Sequence, residues 1–321
     1  MVGWRRRLLL IPVAVLVAVP FLRDWFGPSK PDPDAVKAAY AAPLAPPEGA
    51  LRVYHLGHSL VGRDMPAMLA QLAGDGHGYE QQLGWGTSLK HHWEEDLPIN
   101  GFERENDHPR YRDAKEALRS GEYDAVILTE MVEIRDAIKY HDSGTYLPKW
   151  AALAREGNPD ARVYLYETWH PLDDPDGWLE RLDADLARYW EDGVLLPDLA
   201  VNAPENPVRV IPAGQVMARF VREVEATGGV GNIRTREDLF ARAEDGSLDP
   251  IHINDLGAYL VALTHYAVLY HRDPVGVPHR LRRPDGSPAD APSAEAARAM
   301  QETVAQVVAG LARTGVGGLR P

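Results

Sequence analysis

Residues 51–69 read LRVYHLGHSLVGRDMPAML. The run 51–56 has the length and apolar content of a buried strand, and Met65, Met68 and Leu69, with Leu72 beyond, recur at helical spacing. Between them stands Gly57-His58-Ser59-Leu60, at a point where a strand ends and a helix is about to start. Further apolar runs at 79–83, 125–129, 163–167 and 208–211 alternate with amphipathic stretches, among them the stripe Leu179, Leu182, Leu186, Tyr189. Such alternation predicts a parallel sheet covered by helices on both faces. Ser59 then falls at the carboxyl end of a strand, where open α/β sheets bind ligands. A last long helix is expected after Ile253, capped by Asn254, with Leu256, Tyr259, Leu260, Leu263 and Ala267 on its buried face.

Composition narrows the chemistry. The 321 residues are 45% hydrophobic and 25% charged, enough for one full-sized core. Acidic residues outnumber basic ones 47 to 34, for a net charge of -13, which argues against binding nucleic acid through its phosphates. The absence of cysteine removes disulfides, thiolate metal sites and a thiol nucleophile. Serine, carboxylates and the 12 histidines are left to carry a reaction, with no cofactor or metal called for.

A serine nucleophile needs a base and a group that orients the base. Leu248-Asp249-Pro250-Ile251-His252 supplies both as Asp-x-x-His, read as a proline-containing loop just before the last helix. Taken alone, such a loop is more often a helix entry in which the aspartate caps backbone donors. Its conjunction with Ser59 is what points to chemistry, with the carboxylate holding the imidazole that takes the serine proton. Gly84-Trp85-Gly86-Thr87-Ser88 follows the second run, and a glycine there leaves an N–H free to face an oxyanion.

A Gly-x-Ser block after the first strand, a glycine turn after the second and Asp-x-x-His before the last helix, in that order, resemble the SGNH (GDSL-like) hydrolases over roughly residues 51–272. The resemblance implies a flavodoxin-like three-layer α/β/α fold, Ser59 as nucleophile, His252 as base and Asp249 as its orienter. It also implies an oxyanion hole built from the Ser59 and Gly86 amides. Two departures stand out. His58 occupies the place of the usual aspartate and adds a titratable group beside the nucleophile, counted here among substrate-contacting residues. Where the family carries Gly-x-Asn-Asp, this chain reads Leu128-Thr129-Glu130-Met131-Val132-Glu133. The Thr129 hydroxyl is a candidate replacement donor. Glu130, a pure acceptor when ionised, either points away, is held protonated by burial, or contacts substrate.

Trp85, Trp93 and Trp169 are expected near the crevice, where indole faces stack on sugars or simply pack; Trp85 and Trp169 are the substrate-contact candidates. His91-His92 with Glu94, Glu95 and Asp96 lacks metal-ligand spacing and reads as a solvated charged face. The expected activity is ester hydrolysis on small acyl groups, such as O-acetyl groups of polysaccharide. The alternatives are an O-acyltransferase using the same serine and a catalytically weak carbohydrate-binding protein.

Arg5-Arg6-Arg7 followed by the uncharged run LLLIPVAVLVAVPFL reads as an export segment, 1–26, either a signal peptide, which would leave the protein secreted, or an uncleaved inner-membrane anchor, the reading slightly favoured. The rest would lie outside the inner membrane, in the periplasm or envelope. Residues 27–49 are Pro/Ala-rich and expected to be an extended linker without a packed core. The hydrolase-like domain is placed at 50–272, and 273–321 is an extension ending in a helix.

Overall fold

A computed structural model of the chain describes residues 30–202 and 205–320, so the expected export segment lies outside the described residues. Five parallel strands form the main sheet: β1 (Arg52–His58), β2 (Gly78–Gly84), β3 (Ala125–Leu128), β4 (Arg162–Glu167) and β5 (Arg209–Pro212). Their order is β2-β1-β3-β4-β5. The chain therefore winds one way from β1 to β2 and the other way from β3 onward. This opens a crevice beyond the carboxyl ends of β1 and β3.

Each strand is buried on both faces, which is why these segments read as continuous apolar runs rather than alternating ones. One face of the sheet is covered by the helices Asp64–Ala73, Ala213–Thr227, Asp255–Tyr270 and Ala294–Gly310, the other by Ala114–Ser120, Ile134–His141 and Ser143–Gly157. The helix Asp255–Tyr270 is buried on nearly every side, wedged between Asp64–Ala73 and Ala294–Gly310. Asn254 caps it as expected, its side chain accepting from the amides of Leu256 and Gly257. Among the described residues no helix is long and apolar enough to cross a membrane.

Four expectations change. The 27–49 stretch is not wholly extended: Pro33–Ala39 is a helix, and Tyr40 is buried with its hydroxyl donating to the Val208 carbonyl at 2.8 Å. The stripe at Leu179, Leu182, Leu186 and Tyr189 is no single helix face. The helix Trp178–Asp185 passes into a π-helix, Leu186–Leu195, and the wider turn delivers Leu182 to one core and Leu186 to the other. The terminal helix lies on the main core, burying Met300, Val304 and Val308, rather than standing apart as an extension. The Asp-x-x-His segment is a strand, β7 (Leu248–Ile253), paired antiparallel with β6 (Phe240–Arg242).

Candidate active site

Pairing of β6 with β7 is uneven. Phe240 faces Ile253 and Arg242 faces Leu248, so one residue of β6 spans Asp249, Pro250, Ile251 and His252. This bulge accommodates a proline in a strand, since Pro250 has no amide to contribute to a ladder. Asp249 gives the excursion a fixed shape. Its Oδ1 accepts the amides of Ile251 at 3.0 Å and His252 at 2.9 Å, while Oδ2 accepts from His252 Nδ1 at 2.8 Å. Partial burial pushes the Asp249 carboxyl up, but the two amides and the imidazole outweigh it and hold its pKa below the ordinary value.

Because an ionised carboxylate only accepts, the imidazole carries its proton on Nδ1 and presents Nε2 as an acceptor. The Ser59 hydroxyl donates to that atom at 2.9 Å, from the first residue after β1. Ser59, His252 and Asp249, 193 and three residues apart in sequence, are thus joined in one hydrogen-bonded series. The series is open to solvent, with the side chains of His252 and Asp249 44% and 33% exposed. Such a series can pass the serine proton to the imidazole and stabilise the charge that results.

The strand is braced from behind. Trp169, expected as a stacking surface, is 1% exposed and donates its Nε1–H to the Ile251 carbonyl at 2.8 Å. The Leu172 amide donates to the Pro250 carbonyl at 2.8 Å. Trp169 therefore has no free face for a sugar; it holds the segment between Asp249 and His252.

His58 is likewise not at the crevice. It is buried, its Nε2–H donates to the Glu130 carbonyl at 2.9 Å, and its Nδ1 accepts the Leu60 amide at 3.4 Å, so no ring nitrogen is left for a substrate. Burial pushes its pKa down to about 4, and the ring is neutral. It ties the turn after β1 to the turn after β3, a job for a side chain with one donor and one acceptor.

The two candidates after β3 also face inward. Thr129 is buried with its hydroxyl unpartnered, packed so closely on Gly57 that a Cβ there would lie 2.6 Å from Thr129 Cβ. Gly57 is required for that approach. Glu130 is fully buried, and its Oε1 accepts the amides of Met131 at 2.8 Å and Leu89 at 3.3 Å. The Ser143 hydroxyl is near enough to lower the pKa of the carboxyl, though not in hydrogen-bonding geometry. Burial nevertheless dominates and raises the Glu130 pKa to about 7. Of the readings open for Glu130, its burial and its two amide partners fit the side chain that points away, and burial favours its protonated form.

His92 corrects the reading of residues 91–96 as a solvated face. It is buried, receives the Gln82 amide on Nδ1 at 3.0 Å and donates from Nε2 to the Gly57 carbonyl at 2.8 Å. The signal was present in the sequence: in the helix Leu89–Trp93, Leu89 and His92 are three apart and share the inward face.

Gly86 has φ +55 and open space where a Cβ would be, and among the described residues its amide donates to nothing. The ladder sets His58 beside Gly84, so Ser59 and Trp85 leave adjacent strands at the same level. Trp85 is 46% exposed.

One network went unread in the sequence. Arg181, itself buried, donates to Glu133, Asp174 and Asp185 and joins the segments after β3 and β4 beside buried His170. Ligand atoms of Glu133, His170 and Asp174 lie within 4.8 Å of one another, as a metal site requires. The Arg181 guanidinium already serves both carboxylates, so the cation's place is taken by the chain's own side chain.

No family model and no curated protein sequence matches the chain. Among solved structures it is similar to a DUF4886 family protein from Bacteroides uniformis, at 16% identity and a TM-score of 0.51, covering 81% of this chain and 95% of that one. It is also similar to a protein from Parabacteroides merdae described as a GDSL-like lipase, at 12% identity and a TM-score of 0.40 over 69% of this chain and 96% of that one. A carbohydrate esterase family 2 enzyme with a carbohydrate-binding domain, from Corynascus thermopiles (Myceliophthora fergusii), matches at 13% identity and a TM-score of 0.30 over 53% of this chain and 59% of that one. The first is a likeness of fold alone, and the other two superpose too little of the structure to extend it.

Proposed function

We propose that the chain is a serine esterase of SGNH type, hydrolysing small acyl esters through an acyl-serine intermediate. The observation that carries this reading is the unbroken series Asp249–His252–Ser59, with contacts of 2.8 and 2.9 Å, at the mouth of a doubly wound sheet. The strand order agrees with the flavodoxin-like arrangement that the resemblance implies.

In this scheme Ser59 Oγ attacks the ester carbonyl carbon as its proton moves to His252 Nε2, and Asp249 stabilises the imidazolium. The oxyanion is met by the amides of Ser59 and Gly86. Collapse of the tetrahedral adduct breaks the bond to the alcohol, which leaves with the proton from His252. Water then attacks the acyl-serine by the same route and restores the hydroxyl. With Thr129 and Glu130 turned inward, two backbone donors remain, and one missing donor costs about 3 to 4 kcal/mol where it has been measured. A slow esterase is therefore expected. O-acetyl groups on envelope or environmental polysaccharide are the proposed substrate, and the export segment read at 1–26 supports an extracytoplasmic location. Release of acetate from a short acetyl ester by the purified protein, compared with Ser59→Ala, tests the reading; equal rates would overturn it.

A further inference from the structure

A large exposed indole is ordinarily free to move, yet Trp85 is held from three sides. Its amide donates to the Asn100 carbonyl at 2.7 Å, its Nε1–H donates to Glu105 Oε1 at 2.7 Å, and one face of the ring lies on Gly101. The fit on Gly101 is close: a Cβ there would lie 2.3 Å from Trp85 Cδ2 and 2.4 Å from Cε2. Gly101 has φ +69, so glycine is favoured there by backbone and by packing.

Gly101 also lines a shallow hollow of about 700 Å³ with Leu97, Pro98, Ile99 and Phe102, rimmed by Glu103 and Arg104. The hollow is fastened at two points to the segments that flank Ser59 in sequence. Ile99 packs on Gly84, the partner of His58 across the β1–β2 ladder. Arg63, four residues after Ser59, donates to the Glu105 carbonyl at 3.0 Å. A rigid aromatic plate thus stands one residue before Gly86, beside an apolar hollow edged by charged side chains.

We infer that Trp85 and the neighbouring Leu97–Arg104 hollow form the subsite for the sugar part of the substrate, with a pyranose ring lying against the exposed part of the indole, over which the Arg104 guanidinium stands 5.9 Å from the ring centroid. This inference rests on the esterase reading and goes further by assigning the residues that hold the sugar. An acyl chain needs an enclosed apolar slot. A sugar ring instead presents a flat C–H face to an aromatic plane and hydroxyls around its edge, for which the neighbouring Glu103, Arg104 and Glu105 offer polar side chains. The fixed pose lowers the ordering cost of binding, because the indole has no rotamers left to lose.

The experiment has two arms. In the first, acetate release from acetylated xylo-oligosaccharide and from ethyl acetate is followed by pH-stat for wild type, Trp85→Phe and Trp85→Ala. The ratio of kcat/KM for the sugar ester over ethyl acetate should fall at least tenfold in Trp85→Ala, through KM, and by much less in Trp85→Phe. An unchanged ratio would overturn the subsite and leave the esterase reading standing. In the second, acetylated xylo-oligosaccharide is titrated calorimetrically into Ser59→Ala and into Ser59→Ala/Trp85→Ala. Binding lost with the indole supports the subsite even if no turnover is seen, in which case the esterase reading alone fails. Equal binding by both proteins overturns the subsite.

Discussion

Asp249 holds His252 by both of its oxygens: Oδ2 takes the ring Nδ1–H at 2.8 Å and Oδ1 takes the backbone amide of the same residue at 2.9 Å. One carboxylate therefore sets both the tautomer of the ring and the local shape of the strand that carries it. Asp249→Asn should keep the backbone contact through its carbonyl and spoil the tautomer, whereas Asp249→Ala should lose both. Ester turnover is expected to drop by on the order of a hundredfold or more in either variant, and Asp249→Ala alone should show weakened amide protection at Ile251 and His252. Hydrogen exchange alongside kinetics separates the two effects. Wild-type turnover in Asp249→Ala would remove Asp249 from the scheme.

The inward-facing Thr129 makes a prediction opposite to that of an oxyanion donor. Its hydroxyl is buried without a partner, a position that costs about 1 to 3 kcal/mol in comparable cases. Thr129→Val keeps the shape and removes the unpaired group, so it should leave turnover intact and raise the melting temperature. A hundredfold loss of kcat in Thr129→Val would show that the hydroxyl does reach the oxyanion.

Glu130 links stability to pH. Its folded pKa is raised to about 7, so the stability it supports is present below the ordinary carboxyl pKa and is lost as pH rises through 7. Glu130→Gln keeps an acceptor for the amides of Leu89 and Met131 and carries no charge to desolvate. It should be more stable than wild type at pH 8, with the difference shrinking toward pH 5, and should retain turnover. If Glu130→Gln abolishes turnover while folded, the carboxylate has an essential role absent from the scheme.

Buried histidines act in the reverse direction. Burial pushes His58, His92 and His265 down to about 4, so protonation favours the unfolded chain between roughly pH 6.5 and 4. Their stabilisation is present above pH 6.5 and is lost as pH falls toward 4, on the order of 3 kcal/mol for each imidazole. The raised carboxyls Asp64, Glu130 and Glu167 offset part of this. Thermal melts should move to lower temperature between pH 6.5 and 4.5. A melting temperature that holds steady across that range would show that these rings are hydrated.

Trp169 should behave as a brace. Trp169→Phe removes the Nε1–H donated to the Ile251 carbonyl while filling most of the space. It is expected to lower kcat several-fold or more through displacement of His252, with little change in KM for a sugar ester. A rise in KM with kcat unchanged would instead return Trp169 to the substrate-contacting role.

Much of this architecture was legible in the chain. Strands buried on both faces announce themselves as apolar runs, and Ser59 and His252 were findable because the proposed nucleophile and base sit next to strand and helix boundaries. Local polarity misled where a polar side chain is buried to complete a hydrogen-bond pair. His58 and His92 read as site or surface residues, yet each spends its one donor on a backbone carbonyl. Pro250 suggested a loop, because the bulge that lets a proline sit in β7 depends on its pairing with β6, a long-range relation no local pattern contains. The Arg181 network escaped for the same reason, drawing its carboxylates from segments up to 48 residues away.

The central claim is that Ser59 is an activated nucleophile, and covalent labelling tests it most directly. Treatment with a fluorophosphonate probe followed by mass spectrometry of the digest should give a single adduct on Ser59, lost in Ser59→Ala and strongly reduced in His252→Ala, since only a serine with a functioning base reacts readily. A folded wild-type protein that takes up no probe, or that is labelled equally well after Ser59→Ala, would contradict it.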